Sequence, residues 1–331
     1  MSACIGIVGV GRMGTGIAVS YAFAGVPVAL IDAKLRNAEE QHVCFERVRS
    51  ALRAEFEMLV RLGLLAAERM DEMLGRVVLY ARDEAGPALG AATAVFEAVP
   101  ERLDAKHDVF SWLGERMAAD ALLASTTSTF LVTELAEHAP VPERFLNAHW
   151  LNPAHLIPLV EVSPGPATHA SALAALEDLL RLAHKVPVRC APSAGYIVPR
   201  IQALAMNEAA RMVEEGVASA EDIDTAVRLG FGLRFSVLGL LEFIDWGGND
   251  ILYYASRYLD RELGPRFQAP PIIERNMNGQ RNGLRDGQGF YDYGGQDIDA
   301  YRMKRLGELV QRLEVMNLLP HADSAAVAKT P

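Results

Sequence analysis

Cys4-Ile5-Gly6-Ile7-Val8-Gly9-Val10-Gly11-Arg12-Met13-Gly14 decides the fold. The first five residues are a short apolar run that reads as a buried parallel strand, and Gly9, Gly11 and Gly14 follow at G-x-G-x-x-G spacing. Gly9 permits a tight turn, Gly11 lets the backbone approach a pyrophosphate, and Gly14 lets a helix pack closely on the strand. Residues 13 to 24 are small and apolar with helical spacing until Gly25 stops them, and Val26 to Ile31 reads as a second buried strand closed by Asp32. This is a β-α-β unit whose helix start turns unsatisfied N–H groups and a positive dipole end toward phosphates. A carboxylate at Asp32 accepts hydrogen bonds from ribose hydroxyls and repels a 2′-phosphate. The expected cofactor is therefore NAD, with Lys34 and Arg36 close enough to soften the repulsion.

Working outward, residues 36 to 75 are long, charged and helix-compatible, with a break at Gly63, which predicts a helical hairpin projecting from the sheet. Further strands are expected at Val77 to Tyr80, Ala94 to Glu97, Leu122 to Ser125, Phe145 to His149, Ile157 to Val162 and Val186 to Cys190, with helices at 105 to 118 and 167 to 184. After the turn-rich Ala191-Pro192-Ser193-Ala194-Gly195 the pattern becomes helical, at 199 to 215, 220 to 229, 236 to 260 and 298 to 315. The expected fold is α/β: a Rossmann-type domain over residues 1–191 with a helical-hairpin insertion, then an all-α domain over 192–320 for substrate and dimerisation. Residues 321–331 read as a flexible tail.

Half of the 331 residues are hydrophobic, enough for real cores, and the formal net charge is -10. No lysine- or arginine-rich run occurs, which argues against nucleic acid or an anionic membrane as partner. The uncharged stretch from Gly14 to Ile31 contains Gly16, Ser20, Gly25 and Pro27, so helix, glycine stop and strand explain it better than a membrane span or signal peptide. Cys4, Cys44 and Cys190 are scattered without metal-ligand spacing, as expected of reduced thiols in a cytoplasmic protein with no metal site.

The second informative stretch is His149-Trp150-Leu151-Asn152-Pro153, with Glu161 downstream. His149 ends an expected strand, where ligands bind in such sheets, and Glu161 ends the next. If the strands are neighbours, His149 accepts a proton from a hydroxyl while hydride leaves the same carbon, and Glu161 orients the ring and stabilises the imidazolium. On the residues alone, a hydrogen-bonded structural histidine fits equally well. The seven other histidines, His155 among them, have no such partner and read as structural.

Over nearly its whole length the chain resembles the 3-hydroxyacyl-CoA dehydrogenase family. The resemblance rests on the glycine motif with Asp32, on Glu97-Ala98-Val99-Pro100-Glu101 followed by Lys106, on Ala124-Ser125-Thr126-Thr127-Ser128, on His149 with Glu161, and on Gly287-Gln288-Gly289-Phe290-Tyr291-Asp292-Tyr293. It implies Glu101 and Lys106 along the NAD site, Ser128 as a hydrogen-bond partner of the substrate oxygen, Asn152 beside the substrate, His149 and Glu161 as the catalytic pair, and a homodimer formed through the helical domain. Three departures stand out. Pro199 occupies the position where the family usually has a functional asparagine. Leu156-Ile157-Pro158-Leu159-Val160-Glu161 and Gly232-Leu233-Arg234-Phe235 are similar to members acting on free hydroxy acids, such as gulonate or carnitine dehydrogenases. Arg234 can bind a carboxylate bidentately, and a solvated helix-end arginine is the plainer alternative.

Three functions follow. The first is NAD-dependent interconversion of a short L-3-hydroxyacyl-CoA and its 3-ketoacyl-CoA, as in fatty acid metabolism, with Arg53 and the other hairpin arginines meeting CoA phosphates. The second is the same hydride chemistry on a free 3-hydroxy acid anchored by Arg234. The third is a non-catalytic dinucleotide-binding protein. Hydroxyacid dehydrogenases with a catalytic lysine in the helical domain are disfavoured, because no lysine occurs between Lys185 and Lys304.

Overall fold

The computed structural model describes residues 4–319, so the expected tail at 321–331 lies outside the described residues. By its contacts the described chain divides between Ala205 and Met206 into two compact units. In the first unit the described residues build one eight-stranded sheet of order β3-β2-β1-β4-β5-β6-β7-β8. The strands are β1 (Ile5–Val8), β2 (Val28–Ile31), β3 (Val77–Tyr80), β4 (Ala94–Glu97), β5 (Leu122–Ser125), β6 (Phe145–Trp150), β7 (Leu159–Pro164) and β8 (Val186–Arg189). Pairing is parallel from β3 through β6; β7 then runs antiparallel to β6, and β8 parallel to β7. Strand order reverses on the two sides of β1, which opens a crevice at its carboxyl end between β1 and β4.

Alternation along the strands fills two cores on opposite faces. Ile7, Phe96, Leu146 and Trp150 point to one, and Val8, Val95, Leu123 and Phe145 to the other. The first face is covered by α1 (Arg12–Phe23), α2 (Ala38–Arg61) and, at the far edge, α7 (Ala170–Leu182); the second by α4 (Gly86–Gly90), α5 (Leu103–Gly114) and α6 (Val132–Ala136). Each buried Leu, Ile or Phe contributes about 1.5–3 kcal/mol relative to leaving it in water.

The expected hairpin is present but does not project freely. Asn37 caps α2 with a capping box, and Cys44, Val48, Leu52, Phe56 and Leu59 form a buried stripe that seats α2 in the first core. Helix α2 stops at Arg61, ahead of Gly63 (φ +72°), and the returning limb is only α3 (Met70–Gly75) after a short 3₁₀ turn. The strand expected from Ile157 starts at Leu159 instead, because the N–H groups of Leu156 and Ile157 turn back to Pro153 O.

The second unit is helical: most of α8 (Val198–Glu214), then α9 (Ala220–Ala226), a π-helical turn (Val227–Gly232), α10 (Leu233–Phe235), α11 (Leu240–Gly247), α12 (Asn249–Leu263), α13 (Pro271–Asn278) and α14 (Ile298–Val315). The single helix expected over 236 to 260 is two helices, since Gly248 adopts φ +119° and breaks the run. Asp245, at the end of α11 and 1% exposed, is the anchor for Gly287–Tyr293. It accepts the N–H groups of Phe290 and Tyr291 at 2.9 Å each and the Tyr293 hydroxyl at 3.2 Å. A Cβ on Gly289 would stand 2.1 Å from Asp245 Oδ1, so only glycine lets this segment wrap the carboxylate.

Candidate active site

Three glycines shape the crevice after β1. Gly9 (φ +124°) lies against the backbone of Ala98, where a Cβ would sit 2.3 Å from its carbonyl oxygen, and a Cβ on Gly14 would meet Gly9 O. Gly11 faces open space. It caps α1 without a side chain, and no carboxylate occupies the helix's first turn. At the end of β2 the buried Asp32 accepts the backbone N–H of Lys34 at 3.2 Å and the Arg36 Nε at 2.5 Å. These groups border a cleft of ≈ 400 Å³ that also meets Arg47 and Val99. Bare backbone at a helix start for a pyrophosphate, and an oriented carboxylate for ribose hydroxyls, fit the adenosine half of a dinucleotide.

A polar chain runs from β4 to the Ser128 loop. Glu97 is wholly buried and accepts Lys106 Nζ on both oxygens at 3.0 Å, the Ser125 hydroxyl at 2.5 Å and the Val99 N–H at 2.9 Å. Lys106, itself 1% exposed in its side chain, also reaches Glu101 at 3.3 Å. Glu101 in turn accepts the Thr127 hydroxyl and the N–H groups of Ser128 (3.1 Å) and Thr129 (2.9 Å). Burial opposes the charge on Glu101, but the Thr127 hydroxyl, Lys106 and the Thr129 N–H outweigh it and hold the carboxyl below its ordinary range. Ser128 is exposed, and its hydroxyl makes no hydrogen bond among the described residues. Lys106 is thus enclosed and acts on the loop through Glu101.

The antiparallel pairing of β6 and β7 sets His149 directly opposite Glu161. Glu161 lies inside β7 rather than at its end. His149 Nδ1 is 2.8 Å from Glu161 Oε2, and both side chains are buried. Glu161 Oε1 accepts the N–H groups of Ile197 and Val198, each at 2.8 Å. Both carboxylate oxygens are therefore engaged. Nδ1 donates to Glu161 in the neutral ring, which leaves Nε2 with the lone pair.

Two contributors were not singled out from the sequence. Tyr196 stacks on the His149 imidazole, with ring centroids 4.6 Å apart and planes 10° from parallel. Its hydroxyl donates to Thr127 O at 2.9 Å and accepts from Asn147 Nδ2 at 3.1 Å. Tyr196 adopts φ +46°, a left-handed conformation costing an aromatic residue about 1–2 kcal/mol, so the surrounding contacts must hold it there. Asn147 also bonds Phe130 O at 3.1 Å. It stands two residues before His149 on one strand, a period-2 signal of a shared face. Pro199 falls in the first turn of α8, where its missing N–H costs nothing, just after the two N–H groups that Glu161 caps.

Asn152 is exposed in the loop that joins β6 to β7. That loop is gripped by Lys185, 5% exposed, whose ammonium donates to Ala154 O (2.6 Å) and Ile157 O (3.0 Å) and lies 5.6 Å from the Trp150 ring centroid. Burial pushes this ammonium down to about 8. Arg53, on α2, is half exposed and among the described residues reaches Asp71 alone, at 3.8 Å. Arg234 belongs to the second unit, just after the π-helical turn. Its Nε donates to Gly230 O at 3.0 Å and its guanidinium lies 5.0 Å from the Phe243 ring centroid, with its other donors uncommitted among the described residues. Among the described residues no cluster of three or more His, Cys, Asp or Glu could hold a metal, and no helix is long and apolar enough to cross a membrane.

Comparison with known proteins agrees with this layout. Residues 4–193 match the family model for the NAD-binding domain of 3-hydroxyacyl-CoA dehydrogenase, and residues 195–293 match that for its C-terminal domain. The chain is 31% identical to the 5-formyl-3-hydroxy-2-methylpyridine 4-carboxylate 5-dehydrogenase of Mesorhizobium japonicum, over 92% of this chain and 96% of that one. It is 30% identical to the mitochondrial hydroxyacyl-coenzyme A dehydrogenase of Homo sapiens, over 87% and 90%. The crystal structure of a 3-hydroxyacyl-CoA dehydrogenase from Archaeoglobus fulgidus superposes with a TM-score of 0.74 at 30% identity, covering 96% of this chain and 100% of that one. The chain belongs to the 3-hydroxyacyl-CoA dehydrogenase family, whose members are NAD-dependent oxidoreductases acting on a CH–OH group.

Proposed function

We propose that this enzyme interconverts a short L-3-hydroxyacyl-CoA and its 3-ketoacyl-CoA, with His149 as general base. The observation that carries this reading is the in-register His149–Glu161 pair, alongside a Ser128 hydroxyl left open for a ligand. Bound NAD supplies the hydride acceptor. His149 Nε2 takes the hydroxyl proton, and the new imidazolium meets the Glu161 carboxylate 2.8 Å away. Glu161 does not swing aside, because its other oxygen is held by Ile197 and Val198. The Ser128 hydroxyl donates to the substrate oxygen, Asn152 lies beside the substrate, and Glu101 with Lys106 keeps the serine loop in place. In the reverse direction the same imidazolium returns the proton.

The thioester class is supported by the hydroxyacyl-CoA dehydrogenases among the relatives, and by Arg53, whose guanidinium has a single long contact among the described residues and can meet CoA phosphates. A second reading, oxidation of a free 3-hydroxy acid, is favoured by the open donors of Arg234 and by the carboxylate in the name of the Mesorhizobium relative. NADH formation with short 3-hydroxyacyl-CoAs and with free 3-hydroxy acids, in Arg53→Glu and Arg234→Ala, separates the two. For a thioester, Arg53→Glu raises KM and Arg234→Ala changes little. For a free acid, Arg234→Ala loses about 1.5–3 kcal/mol, roughly ten- to hundred-fold in kcat/KM. A thioester-specific enzyme indifferent to Arg53→Glu removes the phosphate anchor.

Residues 1–191 are read as the cofactor domain and 192–320 as the substrate and dimerisation domain. The helical unit is read as the surface of a homodimer, because Met206, Val213, Ile251, Tyr254, Tyr258 and Val310 are exposed. Light scattering giving twice the chain mass supports this, and a monomer at micromolar concentration rejects it. The free thiols Cys4, Cys44 and Cys190 suit a reducing cytoplasm.

A further inference from the structure

We propose that Tyr196 is a positioning residue that sets the basicity of His149 through its ring. The inference rests on the reading of His149 as the base only for its kinetic arm. The phenol ring covers one imidazole face nearly in parallel, at 4.6 Å between centroids. The face of an aromatic ring is electronegative, so a stacked imidazole is stabilised more when protonated than when neutral. Glu161 stabilises the same cation in the plane of the imidazole, and Tyr196 does so from above.

The ring is built into place. Its hydroxyl is tied to Thr127 O and Asn147 Nδ2, and the next two N–H groups are fixed on Glu161. One tripeptide, Tyr196-Ile197-Val198, thus holds both members of the pair. The hydroxyl itself stays protonated, since burial, the leading influence, raises its pKa well above the ordinary tyrosine range. The ionisable groups that act on Tyr196 are Cys190 just past β8, Glu101 in the loop after β4 and Glu161 on β7, and Glu161 is also the hydrogen-bonded partner of His149. All three remain in any variant at 196, so a change in the titration of His149 reports the ring.

The test follows the imidazole C2 proton by NMR against pH in the full chain without cofactor, with the His149 signal assigned by its loss in His149→Gln. Three replacements are compared: Tyr196→Phe, Tyr196→Leu, and a pentafluorophenylalanine placed at 196, which keeps the shape while reversing the charge distribution of the ring. Tyr196→Phe is expected to keep the midpoint. The leucine and the fluorinated ring are expected to lower it by about 0.4–1.5 pH units. If leucine unfolds the chain, the fluorinated ring carries the comparison. An unchanged midpoint with the fluorinated ring overturns the proposal, as does a fall in Tyr196→Phe as large as theirs. The acid limb of kcat/KM is measured in parallel. A limb that stays while the NMR midpoint falls supports the stack and sinks the assignment of His149 as base.

Discussion

Lys106 and Glu97 form an ion pair that water does not reach: the ammonium lies 3.0 Å from each carboxylate oxygen, and both side chains are at most 1% exposed. Removing one partner strands the other charge in the interior. Lys106→Met is expected to cost about 3–5 kcal/mol in urea unfolding, and adding Glu97→Gln to it should restore part of the loss. A double variant whose loss equals the sum of the single losses would show that the two residues act independently.

His149→Gln is expected to lower kcat by about two to four orders of magnitude with NADH affinity retained. Glu161→Gln should also slow turnover and shift the acid limb of the rate profile downward, because the imidazolium loses its charged partner. Stopped-flow turnover and NADH fluorescence titration measure the two effects. Near-normal kcat in His149→Gln would refute the assignment.

Asp32→Ala should narrow the preference for NAD over NADP, since the carboxylate that opposes a 2′-phosphate is gone while Arg36 and Lys34 remain beside it. The ratio of kcat/KM for the two cofactors is the measurement, and an unchanged ratio counts against Asp32 as the selector.

Lys185 makes stability depend on pH in a defined window. Its ordinary value is 10.5 and burial lowers it to about 8. Between those values the unfolded chain still binds a proton that the folded chain has released, so wild-type stability rises with pH across the window. Below about pH 8 both forms are charged and the folded chain bears the full desolvation cost. Relative to Lys185→Met, the wild type should gain stability from pH 8 to pH 10.5 in urea titrations. Parallel curves would mean that the ammonium titrates normally.

Gly289→Ala is expected to destabilise the helical unit by about 1–3 kcal/mol, because its methyl group must displace the Asp245 carboxylate. Native-state hydrogen exchange at Phe290 and Tyr291 is the local readout; retained protection there would contradict the wrap around Asp245.

Much of the cofactor half was legible because it is written locally. Glycine spacing, a buried strand and a terminal aspartate lie within about thirty residues, and each has one physical use. The His149–Glu161 pair was legible as residues but not as geometry. An apolar strand reads the same in either direction, so the antiparallel turn of β7 left no mark in the pattern. Tyr196 was hidden differently. Its role arises from a left-handed backbone and from bonds to Thr127 and Asn147, which lie 69 and 49 residues away in the chain. The break at Gly248 was obscured by a helical pattern continuing on both sides of it.

The pairing of β6 with β7 also determines which changes in length this enzyme tolerates. Side chains alternate faces along a strand, so deleting one residue inside β6 or β7 sends His149 or Glu161 to the other side of the sheet. The connection at residues 151–158 can grow without altering which residues stand opposite. Relatives that share this chemistry should therefore vary in length within that connection and never within the two strands, and a homologue with a gap in either strand should have lost its proton acceptor even where both residues survive.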